Sequence, residues 1–150
     1  MLDFNCSNWV ACKDMGEVRV KVTFVNYLDE MLIKRGSLNP NKLRVYETTG
    51  LVDTGAVRTV LPMRIVEQLG LEIRGQELAQ YADGREESIG VTEAVIIQLE
   101  GRETIESALV TGNDVLIGQT VLEALDLLVD CKNRCLIPNP RHPKSPVFRI

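Results

Sequence analysis

The segment GLVDTGAVRTVLP, residues 50–62, places a charged side chain between two apolar stretches. Asp53 follows Leu51-Val52 and precedes Val60-Leu61, so it lies where a buried strand is expected to end. A carboxylate in this position loses hydration as the chain folds. It must therefore be neutralised, be hydrogen-bonded or carry a function.

Short apolar or alternating segments cover much of the chain. Glu17–Asn26 alternates apolar and polar side chains, which predicts a half-buried strand, and a second strand over Leu43–Val52 leads directly into Asp53. Pro62 can open a short helix over Met63–Leu69, and Gly70 ends it. Residues 29–42 break the alternation, so we expect a loop there with at most one helical turn.

Two hairpins follow. The first has Asp83-Gly84 between extended segments, and the second joins Ala94–Leu99 to Thr104–Val110. A short strand then passes through Gly118 into a second brief helix, and another strand begins at Leu127. Short, numerous strands with one or two short helices predict a mostly β fold, either a small barrel or a sandwich.

The composition excludes several classes of function. The net charge is −4 and no run of Lys and Arg occurs, which argues against a nucleic-acid partner. No apolar run approaches the roughly 18 residues of a spanning helix, and residues 1–14 lack the pattern of a signal peptide. We therefore expect no membrane partner, a cytoplasmic location, and an N-terminal appendage over residues 1–14.

The cysteines and the histidine do not predict a metal or nucleophilic site. Cys6 and Cys12 form a C-x5-C pair, and Cys131 and Cys135 form a C-x3-C pair, so neither has the C-x-x-C spacing typical of zinc sites. In a reducing compartment these thiols are expected to stay reduced. The single histidine, His142, lies in the proline-rich segment NPRHPKSP and is expected at the surface.

The chain resembles the retropepsin-like aspartic proteases, and most closely their small stand-alone prokaryotic branch. The resemblance rests on Asp53-Thr54-Gly55-Ala56 after an apolar pair, on Thr59-Val60-Leu61, and on Leu116-Ile117-Gly118 before a helix. It covers about residues 15–147, and it implies that residues 15–150 form one protease domain. The implied fold is a closed β-barrel equivalent to half of a two-lobed acid protease.

The resemblance also implies a mechanism. Two aspartates that share one proton would activate a water for peptide hydrolysis, without a cofactor or a metal. Because this chain has one Asp-Thr-Gly, the second Asp53 would come from a second copy in a two-fold homodimer. Thr54 would donate hydrogen bonds across the pair, and Gly55, Ala56 and residues 116–118 would form the scaffold.

The hairpin tip Tyr81-Ala82-Asp83-Gly84 lies where the family has its substrate-binding flap, although the same pattern fits an ordinary surface turn. The sequence departs from the viral relatives at three places. The tip has a single glycine, Gln119 replaces an arginine after Gly118, and Val57-Arg58 replace an acidic pair. Substrate clamping is therefore expected to differ from that of the viral enzymes.

Two functions remain open at this stage. The first is an endopeptidase that cleaves polypeptides, and the second is a peptide-binding or regulatory dimer on the same fold with little turnover. The tail Val147-Phe148-Arg149-Ile150 alternates apolar and polar residues, and the resemblance implies that it contributes to the dimer interface.

Overall fold

The computed structural model of the protein describes residues 17–150. These residues form eleven strands and three short α-helices, in the order β1 (Arg19–Asn26), α1 (Tyr27–Lys34), β2 (Val45–Val52), β3 (Val60–Leu61), α2 (Met63–Gln68), β4 (Ile73–Gln80), β5 (Glu86–Thr92), β6 (Val95–Leu99), β7 (Arg102–Glu106), β8 (Leu109–Val110), β9 (Leu116–Ile117), α3 (Gln119–Leu125), β10 (Leu127–Asp130) and β11 (Cys135–Pro138). A 3-10 turn covers Pro40–Lys42. The predicted appendage, residues 1–14, lies outside the described residues, as do Cys6 and Cys12.

Nine strands form one curled sheet. Their order is β4-β5-β8-β3-β9-β2-β1-β6-β7, and β10 pairs separately with β11. Strand β1 illustrates the underlying pattern, because Val20, Val22 and Phe24 are buried while Arg19 and Lys21 face solvent. The sheet curls into a half-barrel with β4 and β7 at its edges, which confirms the predicted mostly β fold.

The hydrophobic core lies inside this curl and is covered by α2 and α3. Ile65 and Val66 of α2 are fully buried, as are Leu122 and Leu125 of α3. They pack in one cluster with side chains from most strands of the sheet, including Phe24, Leu61, Val95, Ile97 and Ile117. The same core thus supports β2, which leads to Asp53, and β9, which precedes Gly118.

Residues 27–34 form two turns of helix, although the sequence predicted a loop with at most one helical turn over residues 29–42. Asn26 caps this helix, since its side-chain oxygen accepts a hydrogen bond from the backbone N–H of Asp29. Glu30 and Lys34 form an ion pair one turn apart. With at most eight residues per helix, the part of the chain from residue 17 onward contains no helix long and apolar enough to cross a bilayer.

The predicted second hairpin is also more divided than expected. Strands β6 and β7 form the hairpin and pair as predicted. After Glu106 the chain leaves this hairpin, and β8 pairs instead with β3 and β5. One predicted strand over 104–110 is therefore two strands, because its two halves have different neighbours.

A buried carboxylate connects α1 to β2. Asp29 accepts two hydrogen bonds from the guanidinium of Arg44, at 2.8 and 2.9 Å, and a third from the Arg44 backbone N–H at 3.1 Å. The amide of Asn26 donates to the carbonyl of Leu69 at 2.8 Å, which adds the end of α2 to the network. The side-chain hydrogen bond from Arg44 holds the pKa of Asp29 below its usual value, against the opposing effect of burial.

Replacing Asp29 by Asn should lower the free energy of unfolding by about 1.5–3 kcal/mol at pH 7, since charge-assisted hydrogen bonds are lost. A carboxyl with a lowered folded-state pKa stabilises the fold above its unfolded pKa of about 3.9 and loses that contribution as the pH falls through the folded value. Denaturant unfolding of both proteins should therefore show a difference that is full at pH 7 and shrinks below about pH 4. Asp114→Asn, at an exposed position, is the control; an equal loss there would contradict this account.

Candidate active site

Asp53 lies at the end of β2, and the loop that follows it leads to β3. These two strands are not neighbours, because β9 lies between them. Strand β9 is parallel to β2, with Leu51 opposite Leu116 and Val52 opposite Ile117, and it is antiparallel to β3. The inserted strand therefore fixes both ends of the loop that carries Asp53.

The carboxylate of Asp53 is half-buried and hydrogen-bonded within its own turn. Its Oδ1 accepts a hydrogen bond from the backbone N–H of Gly55 at 2.9 Å, and the backbone carbonyl of Asp53 accepts one from the N–H of Ala56 at 3.1 Å. The backbone N–H of Asp53 donates to the carbonyl of Ile117 at 3.1 Å. No ion pair to Asp53 occurs within residues 17–150. The Asp53 carboxylate is therefore hydrogen-bonded, and it also remains in contact with solvent.

Gly118 contacts the Asp53 loop directly. A Cβ on this residue would lie 2.6 Å from the carbonyl oxygen and 2.8 Å from the Cα of Arg58, so no larger residue fits without moving the loop. The backbone N–H of Gly118 donates to the hydroxyl of Thr59 at 3.3 Å, and Thr59 is fully buried. No role of Thr59 is evident from the sequence, because its partner lies far away along the chain.

The first turn of α3 adds two more hydrogen bonds to the same loop. The N–H of Gln119 donates to the carbonyl of Ala56 at 2.8 Å, and the N–H of Thr120 donates to that of Val57 at 3.0 Å. Helix N–H groups in the first turn have no partner within the helix, so the loop carbonyls satisfy them. The structure thus brings the predicted segments 53–56 and 116–118 together in one hydrogen-bonded unit.

The Asp53 turn lies at the surface of the single chain. Thr54 and Ala56 are half-buried and Gly55 is exposed. Val57, next along the loop, is an apolar side chain that is 69% exposed. Residues 17–150 therefore supply an ordered carboxylate on an open surface and do not enclose it.

The predicted hairpin over Asp83-Gly84 is present, formed by β4 and β5. Two backbone hydrogen bonds close its tip. The N–H of Tyr81 donates to the carbonyl of Arg85 at 2.8 Å, and the N–H of Gly84 donates to the carbonyl of Tyr81 at 2.9 Å. Gly84 has a φ of +87°, which favours glycine at this position, while Ala82 and Asp83 complete the exposed tip. The Arg85 guanidinium lies 4.4 Å from the centroid of the Tyr81 ring, a cation–π contact that stiffens the tip.

An ion pair connects this hairpin to the Asp53 loop. Arg58 Nη1 lies 2.8 Å from the Glu77 carboxylate in β4, and its Nη2 donates to the carbonyl of Ser107 at 3.2 Å. In the sequence, Arg58 is only a departure from the viral pattern. No local pattern indicates its partners, which lie in other strands or loops.

The C-terminal tail is attached to the end of α3. Asp126 accepts hydrogen bonds from Asn139 at 3.0 Å, His142 at 2.7 Å and the N–H of Val147 at 3.3 Å. Burial raises the pKa of this carboxyl, but the hydrogen bonds from Asn139, His142 and Val147 outweigh it and leave the pKa lowered. His142, expected at the surface, has a side chain that is 30% exposed and contacts Asp126. Beyond this attachment Val147 and Phe148 are 55% and 65% exposed.

The half-barrel and the Asp-Thr-Gly turn held by an inserted strand define a retropepsin-like aspartyl protease fold. A family model described as gag-polyprotein putative aspartyl protease matches residues 43–124, which is more than half of the chain. The protein therefore belongs to this family. The match includes Asp53, the hairpin and Gly118. No curated protein matches the chain.

Gly118→Ala should lower the free energy of unfolding by at least about 2 kcal/mol, because the new methyl group meets backbone atoms that cannot move aside independently. Denaturant unfolding measures the loss. Gly75→Ala is the matched control, since a Cβ at Gly75 has no heavy atom within 4 Å. Equal stability of the two variants would show that the Gly118 contact with Arg58 is not tight.

Proposed function

We propose that the protein is a homodimeric aspartic endopeptidase in which Asp53 of each copy supplies one catalytic carboxylate. The observation that carries this proposal is the Asp53 carboxylate itself. It is half-buried, fixed by the N–H of Gly55 at 2.9 Å, and unpaired with any cation among residues 17–150, within a chain of a protease family. A rigid, solvent-accessible carboxylate is what acid–base catalysis on a water molecule requires.

Two features of the single chain support a dimer. Each chain has one Asp-Thr-Gly, whereas the water-activating site needs two carboxylates. The surface around the turn is open and bears the exposed side chain of Val57, and the tail presents Val147, Phe148 and Ile150 to solvent. In a two-fold dimer the same turn meets itself, and these apolar groups would be covered.

Hydrolysis would then proceed by paired acid–base steps. One Asp53 carboxylate takes a proton from the bound water as the water oxygen bonds to the scissile carbonyl carbon. The other, protonated, donates a hydrogen bond to the carbonyl oxygen, where negative charge develops. The C–N bond breaks as the nitrogen receives a proton from the pair. Thr54 would donate hydrogen bonds across the dyad, and Ala56 and residues 116–118 would keep the two turns in register.

The hairpin would act as the flap over a polypeptide substrate. Its tip, residues 81–84, is closed by internal hydrogen bonds, and β4 is an edge strand of the sheet. An extended peptide can bind by backbone hydrogen bonds to a strand edge, which requires no particular side chains. Cytoplasmic polypeptides are the substrate class that we propose.

Asp53→Asn should reduce turnover by about a thousandfold, because the ionisable oxygen is lost while the side chain keeps its shape. The measurement is cleavage of a peptide library by the purified protein, repeated with a statine-type inhibitor that mimics the tetrahedral intermediate. Asp114→Asn, at an exposed position, is the control and should cleave like the parent.

An Asp53→Asn protein that still cleaves well would exclude the aspartic mechanism. If the parent protein binds the peptides but cleaves none of them, the peptide-binding or regulatory module is the better description.

Specific activity should fall on dilution below the dimer dissociation constant, because each site needs two chains. Sedimentation velocity across the same concentrations should show the dimer fraction falling in parallel. Deleting residues 147–150 should move both curves to higher concentration, since exposed apolar groups of the tail are removed. A truncated protein with unchanged curves would place the tail outside the interface, and concentration-independent activity in a monomer would exclude the shared site.

A further inference from the structure

The distal part of the hairpin has little backbone support from the rest of the fold. Among residues 17–150, strand β4 pairs only with β5, and β5 pairs with β8 only at Gly90 and Val91. From residue 77 to residue 89 the hairpin therefore projects beyond the point where the sheet holds it. Such a segment can change its position without breaking the hydrogen bonds between its own strands.

The Arg58–Glu77 ion pair spans this gap. We propose that it is a clasp, defined here as these two side chains, which sets the position of the hairpin relative to the Asp53 turn, and that both are positioning residues for substrate. Glu77 lies opposite Ile89 across the hairpin, so the two share a face, and Ile89 is buried. Glu77 is therefore on the face of the hairpin directed at the body of the protein.

Arg58 is the fixed member of the clasp. Its backbone is packed against Gly118, and its guanidinium also donates to the carbonyl of Ser107 at 3.2 Å. Its side chain is 29% exposed, whereas that of Glu77 is 55% exposed and belongs to the projecting part of the hairpin. The ion pair thus connects a fixed cation on the Asp53 loop to a carboxylate that can move with the hairpin.

The strength of such a pair suits a reversible contact. A partly exposed ion pair shifts an equilibrium by about two- to fivefold, and salt weakens it. A change of that size alters the populations of a hairpin whose positions are close in free energy, yet it leaves the global fold intact. The clasp therefore predicts a salt-dependent hairpin, which a purely structural ion pair in a rigid segment would not produce.

The test uses Glu77→Gln, Arg58→Gln and the double variant R58Q/E77Q. Either single variant should raise hydrogen exchange of residues 73–92 by about two- to fivefold at low salt. It should also raise KM for a cleaved peptide by a similar factor, with kcat changed less than about twofold. The double variant should show no larger effect than Arg58→Gln alone, because the ion pair is already absent there, and added salt should affect the parent protein but not the single variants.

Two charge-removing variants away from the clasp are the controls. Arg35→Gln lies just after the end of α1 and Glu67→Gln lies on α2, and both positions are exposed. Neither should change exchange or KM. Glu77→Gln removes only an exposed charge, so its fold is expected to persist, and unchanged exchange in that variant would overturn the clasp even if the Arg58 variants fail to fold.

The inference rests on the proposed function for its effect on KM but not for its effect on exchange. A protein that cleaves no peptide would refute the endopeptidase and leave the exchange measurement to decide the clasp. Faster exchange in Glu77→Gln that R58Q/E77Q does not increase beyond that of Arg58→Gln supports it, and a folded double variant in which the two single effects add independently overturns it.

Discussion

The arrangement of the whole site depends on the insertion of β9 between β2 and β3. Because β9 pairs with both strands, the loop from Asp53 to Thr59 must bridge an intervening strand. The close contact of Gly118 with the Arg58 backbone and the hydrogen bonds from the start of α3 then fill the space beneath that loop. The conformation of the Asp53 turn is thus set by residues more than fifty positions later in the chain.

This support is one-sided. The core, β9 and α3 hold the Asp53 turn from within, while its outer surface is open and carries the exposed Val57. The tail shows the same contrast, since Asp126 fixes its beginning and Phe148 and Ile150 extend into solvent. Among residues 17–150 the turn is thus supported on one side and uncovered on the other, which is compatible with the shared, two-fold site that we propose.

Much of the fold and part of the site could be predicted because their signals are local. The alternation in β1, the Asp83-Gly84 turn and the apolar residues before Asp53 and Gly118 are each visible within ten residues. The cap by Asn26 is an equally local signal, yet the expectation for this segment was a loop and not the full helix α1. The Arg58–Glu77 pair and the attachment of Val147 to Asp126 join distant segments, and no pattern near either residue indicates the other. Neither could have been found without the fold.

The β2–β9 pairing also has a consequence for how the protein is made. Contacts between segments far apart in sequence form late, because closing a long loop costs entropy before the contacts stabilise it. During synthesis the Asp53 turn emerges well before Leu116 and Gly118, so the nascent chain carries the carboxylate without the strand that orders it. A nascent chain that ends before Gly118 is therefore expected to hold no ordered Asp53 turn.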